Sequence, residues 1–312
     1  MPESKYVISM KGLPMNVMRT FLYAFLCLVV GLALADAQPK KRIAVSRFDD
    51  GAHYHGCGTG IADMLATALV KSGKFIVIER KDLDKVLEEQ RLGASGVITA
   101  ETAPAMGKVL GVDMIVVGSV SELGTKKSDI GGGTSLFGVG LSSKGARAVV
   151  DIRLVNTTTG EIMAAESEEG TESSLGFSGR YEDINFSDMN AWDDTDLGKA
   201  AREAINGCVE LITENMASIP WSGRIIKVNP DGSILMKPGS EGNVNVGDEF
   251  EVFQAGEEIK DPDTGLSMGS EETKVARVKI TGQMLNGKAA KASVLSGKGM
   301  KAGDIVRVPA EE

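Results

Sequence analysis

The short run "GAHYHGCG" at 51–58 gathers both histidines of the chain and one of its three cysteines within a few positions. His53, His55 and Cys57 form an H-x-H-x-C pattern of soft ligands that suits zinc or copper. A closed site needs four ligands, however, and the only other cysteine near the folded part of the chain is Cys208. The expectation is therefore no metal and no cofactor, and two alternatives stay open for the thiols: a Cys57–Cys208 disulfide, or two buried unpaired cysteines. "GCGTG" at 56–60 precedes a helical pattern but lacks the full G-x-G-x-x-G and the lysine of a phosphate loop. "DPDTG" at 261–265 spaces two carboxylates as a calcium loop does, yet lacks the further acids and reads as a hairpin turn. No nucleophile has a local base partner, so an enzyme is not expected.

A net charge of −9 argues against nucleic acid as a partner. At the amino end Arg19, the apolar run Phe21–Leu34 and "ADA" at 35–37 have the layout of a secretory signal peptide, residues 1–37. Met10, Met15 and Met18 are alternative starts. Cys27 follows "AFL" rather than small residues, which does not favour a lipid anchor.

The rest divides by texture into two domains. In 38–219, "RIAVSRFD" reads as a strand and "GIADMLATALVKSG" as a helix with Ile61, Leu65 and Leu69 on one face and Gly73 as its C-cap. "FIVIER", further short helices, the doubly apolar "DMIVVGSV" and a strand pair around "NTTTG" follow, and a helix over about 197–216 closes the domain. From 223 to 308 the pattern is short strands with glycine turns, a small barrel of SH3 type in size and strand count. Within it "NVNVGDEFEV" and "GMKAGDIVRV" repeat one turn-and-strand device. The fold class is α+β: a three-layer-like α/β domain with extended β-hairpins, then an SH3-like β-barrel.

The succession "GIADMLATALVKSGKFIVIERKDLDKVLEEQ", "LGVDMIVVGSVSEL" and "ARAVVDIRLVNTTTGEIM" resembles the curli-secretion channel family, the CsgG-like outer-membrane secretion proteins, over about 42–216. The carboxyl-terminal stretch "GSEGNVNVGDEFEVF" resembles the SH3-like domain of the flagellar-ring FlgT family. The curli channel has no such domain, and it carries a lipidated cysteine that this chain lacks. Family members contribute β-hairpins to a shared transmembrane barrel, which directs attention to 124–147 and 164–190. In the first, "KSDIGGGTSLFGVG" matches the family's hairpin, and alternation sets Phe137, Val139 and Leu141 on the candidate lipid face. Its return strand sets Ala146, Ala148, Val150 and Ile152 against Arg147, Asp151 and Arg153. In the second, Leu175, Phe177 and Tyr181 are the lipid-facing candidates.

Eleven acids against Arg180 alone crowd 161–196, and Glu166, Glu168, Glu172, Glu182 and Asp183 are the candidates for an acidic lumen or rim; a solvated acidic loop with no pore is the alternative. The resemblance also implies that 51–58 stands where the family has its constriction loop, with His53, Tyr54 and His55 facing the lumen. Two hairpins close no barrel alone, so a pore requires a homo-oligomeric ring. Partners would then be a secreted protein substrate, accessory periplasmic proteins and the outer membrane. The expected function is a subunit of such a secretion channel or export complex, located in the periplasm or at the periplasmic face of the outer membrane. The alternative is a soluble periplasmic scaffold or ring component without a pore.

Overall fold

Strand β1 (Lys41–Val45) sits inside a sheet, and its residues Ile43, Ala44 and Val45 are buried on both sides. The computed structural model describes residues 38–51, 55–79, 81, 83, 110–129, 142–175, 195–263 and 267–310, and Lys40–Glu312 forms one compact unit. Helix α1 (Cys57–Ser72) carries the chain over to β2 (Phe75–Ile78), which runs parallel to β1. Ile61, Leu65 and Leu69 are fully buried, as their spacing requires, and Gly73 takes φ 69° while donating its N–H to the Val70 carbonyl.

Strand β3 (Met114–Asp129) pairs parallel with β1 on its other side. It then turns antiparallel with β4 (Ser142–Asn156), and β4 with β5 (Ile162–Leu175), giving the order β2-β1-β3-β4-β5. The β4–β5 turn is closed by Asn156, whose Oδ1 accepts from Thr158 N at 2.7 Å, and by Gly160 at φ 78°. Helix α2 (Asp196–Ser218) is capped by Thr195, whose Oγ1 accepts from Gly198 N at 3.1 Å. Its Ala200, Ala204, Ile205, Cys208 and Ile212 are buried in one core with α1 and with Ala148, Val150 and Ile152 of β4. By alternation the opposite face of the parallel half holds a smaller cluster of Ala44, Ile115, Val117 and Val155, closed by Leu83.

Six further strands close a barrel in the order β10-β7-β6-β11-β8-β9. They are β6 (Ser222–Val228), β7 (Ile234–Lys237), β8 (Glu249–Lys260), β9 (Ser267–Met284), β10 (Ala289–Gly297) and β11 (Ile305–Arg307). The barrel has its own core, in which the rings of Trp221 and Phe250 meet at 5.2 Å between centroids. The sequence echo is one device built twice. Asp248 Oδ2 accepts from Asn245 N at 2.6 Å and Asp304 Oδ2 from Lys301 N at 2.7 Å, each beside a glycine in the left-handed region, Gly247 and Gly303.

Sheet and barrel are joined by backbone as well as side chains: Lys40 N donates to Gly242 O at 2.9 Å, and Trp221 Nε1 to Lys40 O at 3.3 Å. No described helix is long and apolar enough to cross a membrane.

Candidate functional site

The loop that opened the sequence reading is organised by a residue outside it. Asp50, just after β1, turns its carboxylate onto the start of α1, where Oδ2 accepts from Gly56 N and Oδ1 from Gly58 N, both at 2.7 Å. The carboxylate thereby occupies the helix N-terminus, where free amide N–H groups otherwise attract an anion. Burial pushes its pKa up, but the two amide bonds outweigh it and leave it below the ordinary aspartate value. Gly58 is required by this packing, since a Cβ there would stand 2.2 Å from the Phe48 carbonyl oxygen.

Cys57 lies in the same first turn with its thiol 3.6 Å from Asp50 Oδ1. Burial first, then the negative charge of Asp50, pushes that thiol up to about 12, so it stays protonated at neutral pH and is a poor metal ligand or nucleophile. Cys208, inside α2, is likewise pushed up to about 12 by burial and then by Glu168. The disulfide considered from the cysteine count is not formed: both thiols are free and buried. The physical reason is that Cys57 faces Asp50 at the helix start while Cys208 faces the β5 side of the core. Among the described residues no cluster of three or more His, Cys, Asp or Glu could hold a metal ion. His55 is exposed beside this turn, while His53 and Tyr54 lie outside the described residues.

The candidate hairpins resolve into three long strands with two unlike faces. Directly paired residues share a face, and the β4–β5 register matches Ala146 with Glu172, Ala148 with Gly170, Val150 with Glu168 and Ile152 with Glu166. The alternation read in β4 is therefore real, but its apolar row is core beneath α2 and not a lipid-facing band. Likewise β5 is seated on α2 as far as Gly170, where a Cβ would stand 1.9 Å from the Ala200 carbonyl oxygen. Thus the bases of both segments, 124–147 and 164–190, belong to the domain sheet.

The acids follow from the same register. Glu166, Glu168 and Glu172 stand on the helix face of the outermost strand, rimming the seam between β5 and α2. The Glu168 side chain lies against Gly207 of α2, and burial, with Glu166 and Glu210 nearby, raises its pKa. Glu172 is 3.8 Å from Lys199 of α2. Glu182 and Asp183 lie outside the described residues, as do Phe137, Val139, Leu141, Phe177 and Tyr181. Leu175 is the last residue of β5.

The opposite face is open and polar, and sequence reasoning did not single it out. Arg147 makes a fork to Glu169 at 2.7 and 2.9 Å and also binds Glu122, tying β3, β4 and β5 together. Ser167 donates to Asp151 on the same face. The only signal in the sequence is the alternation that sets Arg147, Asp151 and Arg153 together.

Past the buried Leu123 and Ala146 the ladders continue, through Asp129↔Ser142 between β3 and β4 and Ser143↔Leu175 between β4 and β5. On β3 that is residues 124–129, or about 20 Å of paired strand.

Comparison with known proteins bears on this arrangement. A CsgG protein of Escherichia coli strain K12, "Curli production assembly/transport component CsgG", is 27% identical over 114 residues, covering 35% of this chain and 41% of that protein. The same figures hold for its counterpart in Salmonella typhimurium. The chain thus spans about two fifths of the length of the curated relatives it matches. A hypothetical protein of Chlamydia trachomatis aligns with 14% identity, 57% of this chain, 99% of that chain and a TM-score of 0.39. A Neisseria meningitidis lipoprotein gives 14%, 57%, 98% and 0.35. The family model described as "Curli production assembly/transport component CsgG" matches residues 29–229, well over half of the chain, and the protein belongs to that family.

Proposed function

We propose that this chain is a non-catalytic, exported subunit of an oligomeric secretion channel or export complex of the curli-secretion type. The observation that carries this reading is the length of β3, β4 and β5, at 16, 15 and 14 residues, against five or six for an ordinary strand. A domain sheet covered by two helices needs no such length. A membrane-spanning strand needs about 9–11 residues, and the extension beyond the core provides the start of such strands. In this reading the sheet domain stands in a periplasmic ring, the extensions of several subunits join as one barrel, and His53, Tyr54 and His55 face the lumen. Phe137, Val139, Leu141, Leu175, Phe177 and Tyr181 then face lipid, and Glu182 and Asp183 stand at a rim. The carboxyl-terminal barrel, FlgT-like in this reading, serves as a docking module for a periplasmic partner.

Fractionation of cells expressing the chain with residues 1–37 tests the reading. The expected result is a detergent-extractable oligomer that stays with the outer membrane after a carbonate wash. A monodisperse soluble protein in the periplasm would replace the channel by a scaffold without a pore.

A further inference from the structure

The seam between sheet and barrel carries a charge arrangement that neither core explains. Arg42 of β1, Arg224 of β6 and Lys237 of β7 meet at it: Arg224 and Lys237 are directly paired and share a face, Lys237 Nζ approaches Gly111, and the Arg42 guanidinium lies 3.5 Å from the carbonyl oxygen of the neighbouring Leu110. The half-buried carboxylate there is Asp113, whose Oδ2 accepts from the Arg42 backbone N–H at 2.8 Å and whose Oδ1 lies 3.5 Å from Ser222 Oγ. Arg42 and Arg224 both feel its charge, as does Lys41, but the Lys41 ammonium is committed to the Met216 and Ala217 carbonyls at the end of α2. Glu241 acts on Arg42, and Glu272 is held by Arg307 through two bonds of 3.1 and 2.6 Å.

Lys237 is the residue left over. Among the described residues no carboxylate pairs with it, and the charged groups that act on it are the two arginines. Burial and then those like charges lower its pKa. The Nζ atom stands 3.4 Å from where a Cβ on Gly111 would be, which places the ammonium against the turn before β3. Beside it the Nε of Arg42 is shielded from solvent without an acceptor. A buried donor without a partner, next to a half-buried cation flanked by cations, marks a place where an acceptor belongs. Lys237 and Arg42 are half-buried and Arg224 is exposed, which leaves the seam reachable from solvent.

We propose that this seam is an oxyanion site, in which Lys237, Arg224 and Arg42 take a phosphate group. Phosphate fits the donors: a guanidinium fork matches two of its oxygens, and an ammonium with no carboxylate partner supplies a point charge. The phosphate is free in solution or part of a lipid headgroup, and the chemistry is shared.

The test is thermal unfolding of the full chain in chloride buffer and in inorganic phosphate at matched ionic strength. Wild type is expected to gain melting temperature with phosphate concentration, as binding to the folded state requires. Lys237→Met should weaken the apparent phosphate affinity by at least about tenfold. In chloride alone it should melt at or above wild type, because a crowded charge is gone, which shows that the variant is folded. No phosphate increment in wild type, or an equal increment in both proteins, overturns the proposal. Vesicles of phosphatidylcholine with and without phosphatidic acid then assign the source. Retention on the acidic vesicles by wild type and not by Lys237→Met assigns a lipid phosphate, and a phosphate response without retention assigns the free ion.

Discussion

The two faces of β3–β4–β5 differ although their residues alternate one by one. On one face Ala146, Ala148, Val150 and Ile152 are sealed under α2, and the acids of β5 stand at the margin of that contact. On the other, Arg147, Asp151 and Arg153 meet partners across the strands or face solvent. The lesson is that an alternating strand identifies two faces without saying what covers either one. Here the apolar face is covered by the protein's own helix as far as Leu123 and Ala146, and the paired strands run on past them.

The sharpest way to break this comparison is at the tightest contact. Gly170→Val places a side chain against the α2 backbone, which cannot yield, and should cost about 3 kcal/mol or more, read as lost folded protein or a melting temperature lower by several degrees. Next in size is a pair of neighbours on opposite faces. Ile152→Ala leaves a hole in the core and should cost about 3 kcal/mol, whereas Arg153→Ala, one residue on and exposed, should stay within about 0.5 kcal/mol in denaturant titration. Equal costs would remove the distinction between the faces.

A smaller effect comes from Glu168. Its folded pKa is raised by burial and by Glu166 and Glu210, so the folded state holds the proton more tightly than the unfolded chain does. Stability therefore falls as pH rises from the ordinary glutamate range through the folded pKa, and is regained on acidification. Glu168→Gln should be slightly more stable than wild type at pH 7 and equal to it at pH 4, with melting temperature against pH as the check. The smallest effect belongs to the open face. Arg147→Met removes an exposed fork, and its melting temperature should lie within experimental error of wild type at 0.15 M salt.

Much of this architecture was legible in the chain. The 3.6-residue spacing of Ile61, Leu65 and Leu69, the cap at Gly73 and the repeated glycine–aspartate turn were each local signals, and each has its expected form. What stayed hidden was non-local. The Asp50 carboxylate reaches forward six and eight residues to Gly56 and Gly58, a reach that depends on how the loop folds back. The acids of β5 read as candidates for a lumen because their face is set by the register with β4 and by α2, neither of which the local pattern contains. The two cysteines pose the same problem, since parity permits a bond, while both thiols are free and buried.

The central claim is that the strands leave the helix-covered sheet in order to line a pore. Its most direct test is the conductance of the purified oligomer in a planar bilayer, for wild type and for the variant with Phe137, Val139 and Leu141 replaced by Asp. The account predicts discrete channel openings for wild type and none for the variant, with the carboxyl-terminal barrel of both melting alike. Absence of openings in wild type, or the same conductance in both proteins, would contradict it.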